Sequence, residues 1–146
     1  MTELTNPERP SISDTALRFI GHCDSGEGWD ACAPCCVEGA TFSSQCEVLI
    51  GVDTIEGYCN WMRDLLIQLP DGRIEMQSFG VDEARGQVTV FSIFYGTHTG
   101  PGGPVPPTHK SATAHYVYAM DFSGGKLKHL TKIWNSRWTL EELGWV

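Results

Sequence analysis

At Gly72 the hydrophobic pattern of this chain changes period, and that change dictates its architecture. Before Gly72, apolar side chains recur every three or four residues. Leu17, Ile20 and Cys23, with Ala16 and Phe19, mark one helical face, and Ile55, Cys59, Met62, Leu66 and Leu69 mark another. After Gly72, apolar and polar residues alternate, the period of a half-buried strand. The alternation predicts strands over Arg73 to Asp82, Gln87 to Thr97, Ser111 to Phe122 and Lys126 to Trp138. Glu83-Ala84-Arg85-Gly86 forms the first turn between them and Ser123-Gly124-Gly125 a tight hairpin. Helices first and a long meander afterwards give an α+β fold: a curved mixed or antiparallel β-sheet wrapped around three N-terminal helices.

The helix ends carry their own signals. Ser11 or Ser13 can cap the first helix, which stops at Ser25-Gly26. A short second helix, Trp29 to Val37, is stopped by Glu38-Gly39, and Ala40 to Gln45 reads as a strand. Asp53 with Glu56 three residues on resembles a capping box for the third helix, which Pro70-Asp71-Gly72 ends. "TLEELG" makes a final helical turn, and Pro7 and Pro10 suggest a loose arm over residues 1 to 11. With 146 residues, no repeats and no linker, the chain reads as one domain, residues 1 to 146. That length buries roughly 70% of the unfolded surface, so neither disulfide nor metal is needed for folding.

A formal net charge of −8 argues against a nucleic-acid partner and against a polybasic membrane contact. The opening "MTELTNPERP" has no apolar core of the secretory kind, and no run reaches the length of a membrane span. A cytoplasmic location with reduced cysteines is the expectation. "CAPCC" places Cys32, Cys35 and Cys36 near His22 and Cys23, the right ligand types for zinc. No second ligand pair follows, and Cys32 and Cys36 stand one helical turn apart, which suits burial. No metal is expected. No glycine-rich phosphate loop appears, so no organic cofactor is expected either.

Strand parity sets the faces. Ala112, Ala114, Tyr116, Tyr118, Met120 and Phe122 form the larger, more apolar face of their strand and should turn toward the helices. His115 and Asp121 then point outward. The strand from Val88 to His98 is apolar on both faces, which implies cover on both. With the helices on one side, a second copy of the chain is the simplest cover for the other: a homodimer through the outer sheet face.

Between two strands runs "YGTHTGPGGPVPPTHK", a long loop of glycine, proline and threonine suited to the mouth of a pocket. Together with "FSIFYGTHTG", "GGKLKHLTKIWN" and the terminal "LEELG", it makes the chain resemble the nuclear-transport-factor-2-like superfamily, in its SnoaL-like polyketide cyclase branch, over residues 12 to 144. The resemblance implies a cone: a bent sheet around helices, with a central pocket at the wide end, and often a dimer. In that branch the loop commonly ends Pro-Pro-Thr-Gly-Lys; here His109 replaces the glycine. The superfamily includes cyclases, ketosteroid isomerases, dehydratases, epoxide hydrolases and non-catalytic proteins, so the fold does not settle the activity. SnoaL-type aldol cyclases use a carboxylate base on the last long strand and a histidine on its neighbour. The resemblance puts those positions at Lys132 and Tyr118. The aspartate base of ketosteroid isomerases falls near Ser44. Neither set of bases is carried over.

Lys132 shares a strand face with Leu130 and Trp134. A desolvated lysine there would have a lowered pKa and could act as a base, form a Schiff base or bind an anion. The alternative is a lysine that pairs with a carboxylate or snorkels to water. Tyr118 could donate to a carbonyl oxygen or simply fill the core. His98 could move a proton or brace the loop. Trp61, Tyr116, Met120, Asn135 and Glu47 are candidate ligand contacts. Two functions fit: a cofactor-free isomerase or cyclase acting on a carbonyl-bearing polyketide-like or steroid-like compound, or a non-catalytic carrier of a small hydrophobic molecule.

Overall fold

The computed structural model describes residues 11–146, so the N-terminal arm read from Pro7 and Pro10 lies outside the described residues. The order is α1 (Ile12–Cys23), α2 (Trp29–Cys32) with a 3-10 turn (Ala33–Cys35), β1 (Cys36–Ser44), a 3-10 turn (Glu47–Leu49), α3 (Ile55–Gln68), β2 (Arg73–Asp82), β3 (Gln87–Thr97), β4 (Ser111–Ser123), β5 (Lys126–Trp134) and α4 (Ser136–Leu143). The strands form one sheet in the order β1-β5-β4-β3-β2. β2 to β5 are an antiparallel meander, and β1 pairs with β5 in parallel, so the sheet is mixed.

Ser11 caps α1, its hydroxyl accepting from the Asp14 amide at 3.1 Å. The cap of α3 is Thr54, one residue after the expected Asp53; its Oγ1 accepts from the Gly57 amide at 3.0 Å. Two element boundaries differ from the sequence expectation. The second helix makes one α-turn and one 3-10 turn only, because Pro34 has no N–H to continue the ladder. Val37 to Gly39 therefore belong to β1. Gly39 adopts φ 72° where the β1–β5 register shifts, a bulge only a glycine tolerates easily. The last strand stops at Trp134 and not at Trp138. Asn135 Oδ1 accepts from the Trp138 amide at 3.2 Å and starts α4. Gly144 ends that helix at φ 73°, with the amides of Gly144 and Trp145 reaching back to Glu141 and Leu140.

The inward face of β4, from Ala112 to Phe122 at even positions, is buried against α1 (Ala16, Phe19, Ile20, Cys23) and α3 (Ile55, Tyr58, Cys59, Met62). The large apolar side chains among them, such as Phe19, Ile20, Ile55 and Met120, contribute about 1.5–3 kcal/mol each by leaving water. On β3, Val88, Val90 and Phe94 are buried while Phe91, Ile93 and Tyr95 on the outer face are half-buried. All six cysteines are free and buried. No helix among the described residues is long and apolar enough to cross a membrane.

Candidate functional site

Lys132 stands at the centre of a row across three strands. Its Cα pairs with Tyr118 on β4 and with Ser44 on β1, and the Ser44 hydroxyl donates to the Lys132 carbonyl at 2.8 Å. The parity of β5 turns the side chain inward, where it is only 6% exposed. Four aromatic rings surround its Nζ: Tyr58 and Trp61 from α3, Tyr116 from β4 and Trp134 from β5. Their centroids lie 4.5 to 5.4 Å away. Such rings favour the ammonium form by about 0.5–2 kcal/mol each at best, less than the cost of removing the charge from water.

The amine is joined to a buried acid through two phenols. Nζ donates to the Tyr58 hydroxyl at 2.9 Å, Tyr58 and Tyr118 hydroxyls are 2.6 Å apart, and Tyr118 donates to Asp24 Oδ1 at 2.6 Å. Tyr116 donates to Asp24 Oδ2 at 2.6 Å. A carboxylate only accepts, so Tyr118 gives its hydrogen to Asp24 and Tyr58 gives its hydrogen to Tyr118. The chain thus has one direction: Lys132, Tyr58, Tyr118, Asp24. Burial pushes the Lys132 amine down to about 8, partly offset by the attraction of Asp24. Burial pushes the Asp24 carboxyl up, against the hydrogen bonds from Tyr116 and Tyr118 and the attraction of Lys132. Burial and the nearby Asp24 charge push the Tyr58, Tyr116 and Tyr118 phenols up, so they remain protonated at ordinary pH.

Beside this network lies a cavity of about 460 Å³. Its wall is apolar: Trp61, Met62 and Leu65 from α3, Phe94, Ala114 and Trp134 from the sheet, and Leu140 and Leu143 from α4. Tyr116 and Lys132 supply polar atoms deep within it, and Lys132 is the one cation among the described lining residues. Asp64, their one carboxylate, is exposed at the rim beside Arg63. Among the described residues, only the Tyr58 oxygen accepts a hydrogen bond from Nζ; its other two N–H groups lie among the four rings.

The long loop closes over this cavity through Pro104. His98 is fully buried at its base. Its Nδ1 accepts from the Thr108 amide at 3.2 Å and from Trp145 Nε1 at 2.9 Å, which fixes the proton on Nε2. The His98 backbone also pairs with Lys110 and His109. Gly100 lies so close to α3 that a Cβ there would come within 1.9 Å of the Ile67 carbonyl oxygen. His109, where the resemblance expects glycine, has φ 59° in the left-handed region.

The model of the SnoaL-like polyketide cyclase family matches residues 15–143. The chain belongs to this family. Solved structures agree in fold. A proposed hydroxylase, AclR from Streptomyces galilaeus, superposes with TM-score 0.74 at 19% identity, covering 92% of this chain and 96% of that one. A SnoaL-like polyketide cyclase candidate from Jannaschia sp. CCS1 gives TM-score 0.74 at 16% identity, covering 97% of both chains. IdmH, a proposed polyketide cyclase from Streptomyces antibioticus, gives 0.74 at 18%, covering 91% and 98%. No curated protein matches the chain.

In this SnoaL-like chain the sequence candidates fall into separate places. Lys132, Trp61 and Tyr116 face the cavity. Tyr118 and Met120 are buried in the core beside it, with Tyr118 inside the hydrogen-bonded chain. His98 braces the loop and is not on the cavity wall. Asn135 caps α4 and lines a separate pocket of about 420 Å³ with His115. Glu47 is exposed, although its neighbour Val48 reaches the cavity. Sequence reasoning passed over Asp24 and Tyr58. Asp24 carried one signal: an acid at the C-terminal end of a helix, where the dipole disfavours it, needs another reason to be there. The zinc candidates do not assemble as "CAPCC" suggests. Cys32 instead meets Cys23 and Cys59, their sulfurs within 4.8 Å of one another, with Cys35, Cys36 and His22 elsewhere. The three thiols come one each from α1, α2 and α3, all are buried, and together they are ligand types that could hold a metal ion.

Proposed function

We propose that the protein takes a hydrophobic, carbonyl-bearing ring compound of polyketide or steroid size into the cavity and catalyses a cofactor-free isomerase-type or cyclase-type reaction on it. The observation that carries this reading is Nζ of Lys132: a cationic donor with two N–H groups that no protein oxygen among the described residues accepts, set in a mostly apolar wall. A carbonyl oxygen hydrogen-bonded there gains most as it becomes an enolate, because a charge in a dry cavity is stabilised more strongly than in water. The carbon beside the carbonyl becomes more acidic, which is what enolisation and ring closure require. Tyr116, on the wall and bonded to Asp24, is positioned to pass a proton to that acid. Tyr118 acts through Asp24 and Tyr58, and His98 acts by holding the loop.

A binding-only role is favoured by one observation: the cavity's one carboxylate among the described residues, Asp64, sits at its exposed rim. Incubation with polycyclic ketones, followed by chromatography and mass analysis, decides between them. Conversion that is lost in the Lys132→Met/Tyr116→Phe double variant supports the enzyme; full recovery of a tightly bound compound supports the carrier. We further infer a homodimer through the half-buried outer residues Phe91, Ile93 and Tyr95. A monomer on sizing at micromolar concentration would refute it.

A further inference from the structure

We propose that Lys132 attacks the ligand's carbonyl carbon and holds it as an imine, while Asp24 stores the proton this amine must first shed. The inference rests on the reading that a carbonyl compound occupies the cavity, and adds that the engagement is covalent.

A lysine becomes a nucleophile only as the free amine. A carboxylate in direct contact would lock it as ammonium, but none of the ion pairs among the described residues involves Nζ. Instead, two phenols stand between amine and acid, each with one hydrogen and each 2.6 to 2.9 Å from its neighbours. Such a chain has two states with the same number of protons. In one, Lys132 is ammonium and Asp24 carboxylate. In the other, each proton has moved one step: Nζ to the Tyr58 oxygen, Tyr58 to Tyr118, and Tyr118 to Asp24. Lys132 is then a neutral amine, Asp24 is a carboxylic acid, and both phenols are intact. No proton has entered or left the cavity, and the buried charges are gone. The opposed shifts of the two end groups, Lys132 downward and Asp24 upward, bring these states closer in free energy.

The addition then balances. The nitrogen lone pair forms a bond to the carbonyl carbon, the carbon–oxygen π pair moves to oxygen, and one nitrogen-bound proton follows it, giving a neutral carbinolamine. The proton stored on Asp24 returns along the chain through Tyr58 to the carbinolamine nitrogen and passes from it to the adjacent hydroxyl. The carbon–oxygen bond breaks, water leaves, and a protonated imine remains opposite the restored carboxylate. That iminium is a stronger electron sink than the hydrogen-bonded carbonyl, so it serves the same enolisation.

The test uses the full-length protein, 2-naphthaldehyde as probe and sodium cyanoborohydride, which reduces an imine to a stable amine. The chain has four lysines, and Lys110, Lys126 and Lys128 are exposed, so mapping is unambiguous. Expected is one naphthylmethyl group on Lys132, formed at least about tenfold faster than on the exposed lysines. Tyr58→Phe, which cuts the chain but leaves both end groups, should slow labelling by about tenfold or more while leaving probe binding intact. Asp24→Asn should move the onset of labelling to lower pH, because the carboxylate no longer holds the proton on the amine, and should lower its maximal rate. Tryptophan fluorescence quenching reports whether the probe occupies the cavity. Occupancy that depends on Lys132 without label at Lys132 overturns the imine and leaves the non-covalent reading standing. Neither occupancy nor label overturns both. Labelling confined to the exposed lysines, or an unchanged rate and pH profile in both network variants, also overturns the proposal.

Discussion

Replacing Lys132 by methionine should remove a pH dependence of stability that the wild-type chain carries between pH 8 and 10.5. In the unfolded chain the amine titrates at its ordinary 10.5, and in the folded chain at about 8. Between those values the unfolded state holds one more proton than the folded state. Stability therefore rises with pH across the window and is lowered below it. At about 1.4 kcal/mol per pH unit, the difference amounts to about 3 kcal/mol. Other groups titrate there too. Burial pushes the Cys23 and Cys36 thiols and the Tyr58, Tyr116 and Tyr118 phenols up, which makes stability fall as pH rises. Those groups are present in both proteins, so most of their contribution cancels in the difference. The assay is urea denaturation, followed by tryptophan fluorescence, at several pH values from 8 to 10.5. Whatever constant offset methionine introduces, the variant's stability relative to wild type should fall by about 3 kcal/mol across the window. A difference that stays flat to within about 1 kcal/mol would mean that the folded amine is solvated, and would refute the reasoning.

Three further outcomes follow from the loop and the core. His98→Phe leaves the Thr108 amide and Trp145 Nε1 without their acceptor, so it should cost about 1–3 kcal/mol in denaturation and alter Trp145 fluorescence. His109→Gly removes the left-handed strain of a side-chain-bearing residue, and after the entropy lost by glycine should stabilise the fold by about 0.5–1 kcal/mol in the same assay. The six cysteines, all buried, should react with a thiol reagent such as DTNB only on the timescale of unfolding, and all six should react at once in denaturant; rapid native labelling would contradict the packing.

The period change at Gly72 reads directly as architecture because burial imposes a helical stripe on one side of it and alternation on the other. Strand parity likewise turns Tyr116 and Tyr118 inward; for Lys132 it gives a face shared with Leu130 and Trp134 but not the side on which that face lies. Boundaries were harder. The apolar pattern runs on through Trp134 to Trp138, and only the side chain of Asn135, accepting from an amide three residues on, marks the change to helix. The short helix expected from Trp29 to Val37 ends early, at the 3-10 turn Ala33–Cys35, because Pro34 lacks the amide that would continue it. The acid of the site was hidden for a different reason. Asp24 meets Tyr116 and Tyr118 across sequence separations of 92 and 94 residues, and "CDSGEG" looks like any polar turn. His98 could be read as a loop brace, but its partner Trp145 lies 47 residues away and beyond a helix. Local pattern reports which face a residue occupies; it does not report which distant side chain meets it there.

The central claim is that the Lys132 amine meets the oxygen of a molecule held in the cavity. The most direct measurement is a crystal structure of the protein with a bound polycyclic ketone. The account predicts the ligand between α3, α4 and the sheet, its oxygen within hydrogen-bonding distance of Nζ or its carbonyl carbon joined to it. A ligand seated elsewhere, or one lying in the cavity with its oxygen turned to the exposed rim at Asp64, would contradict it.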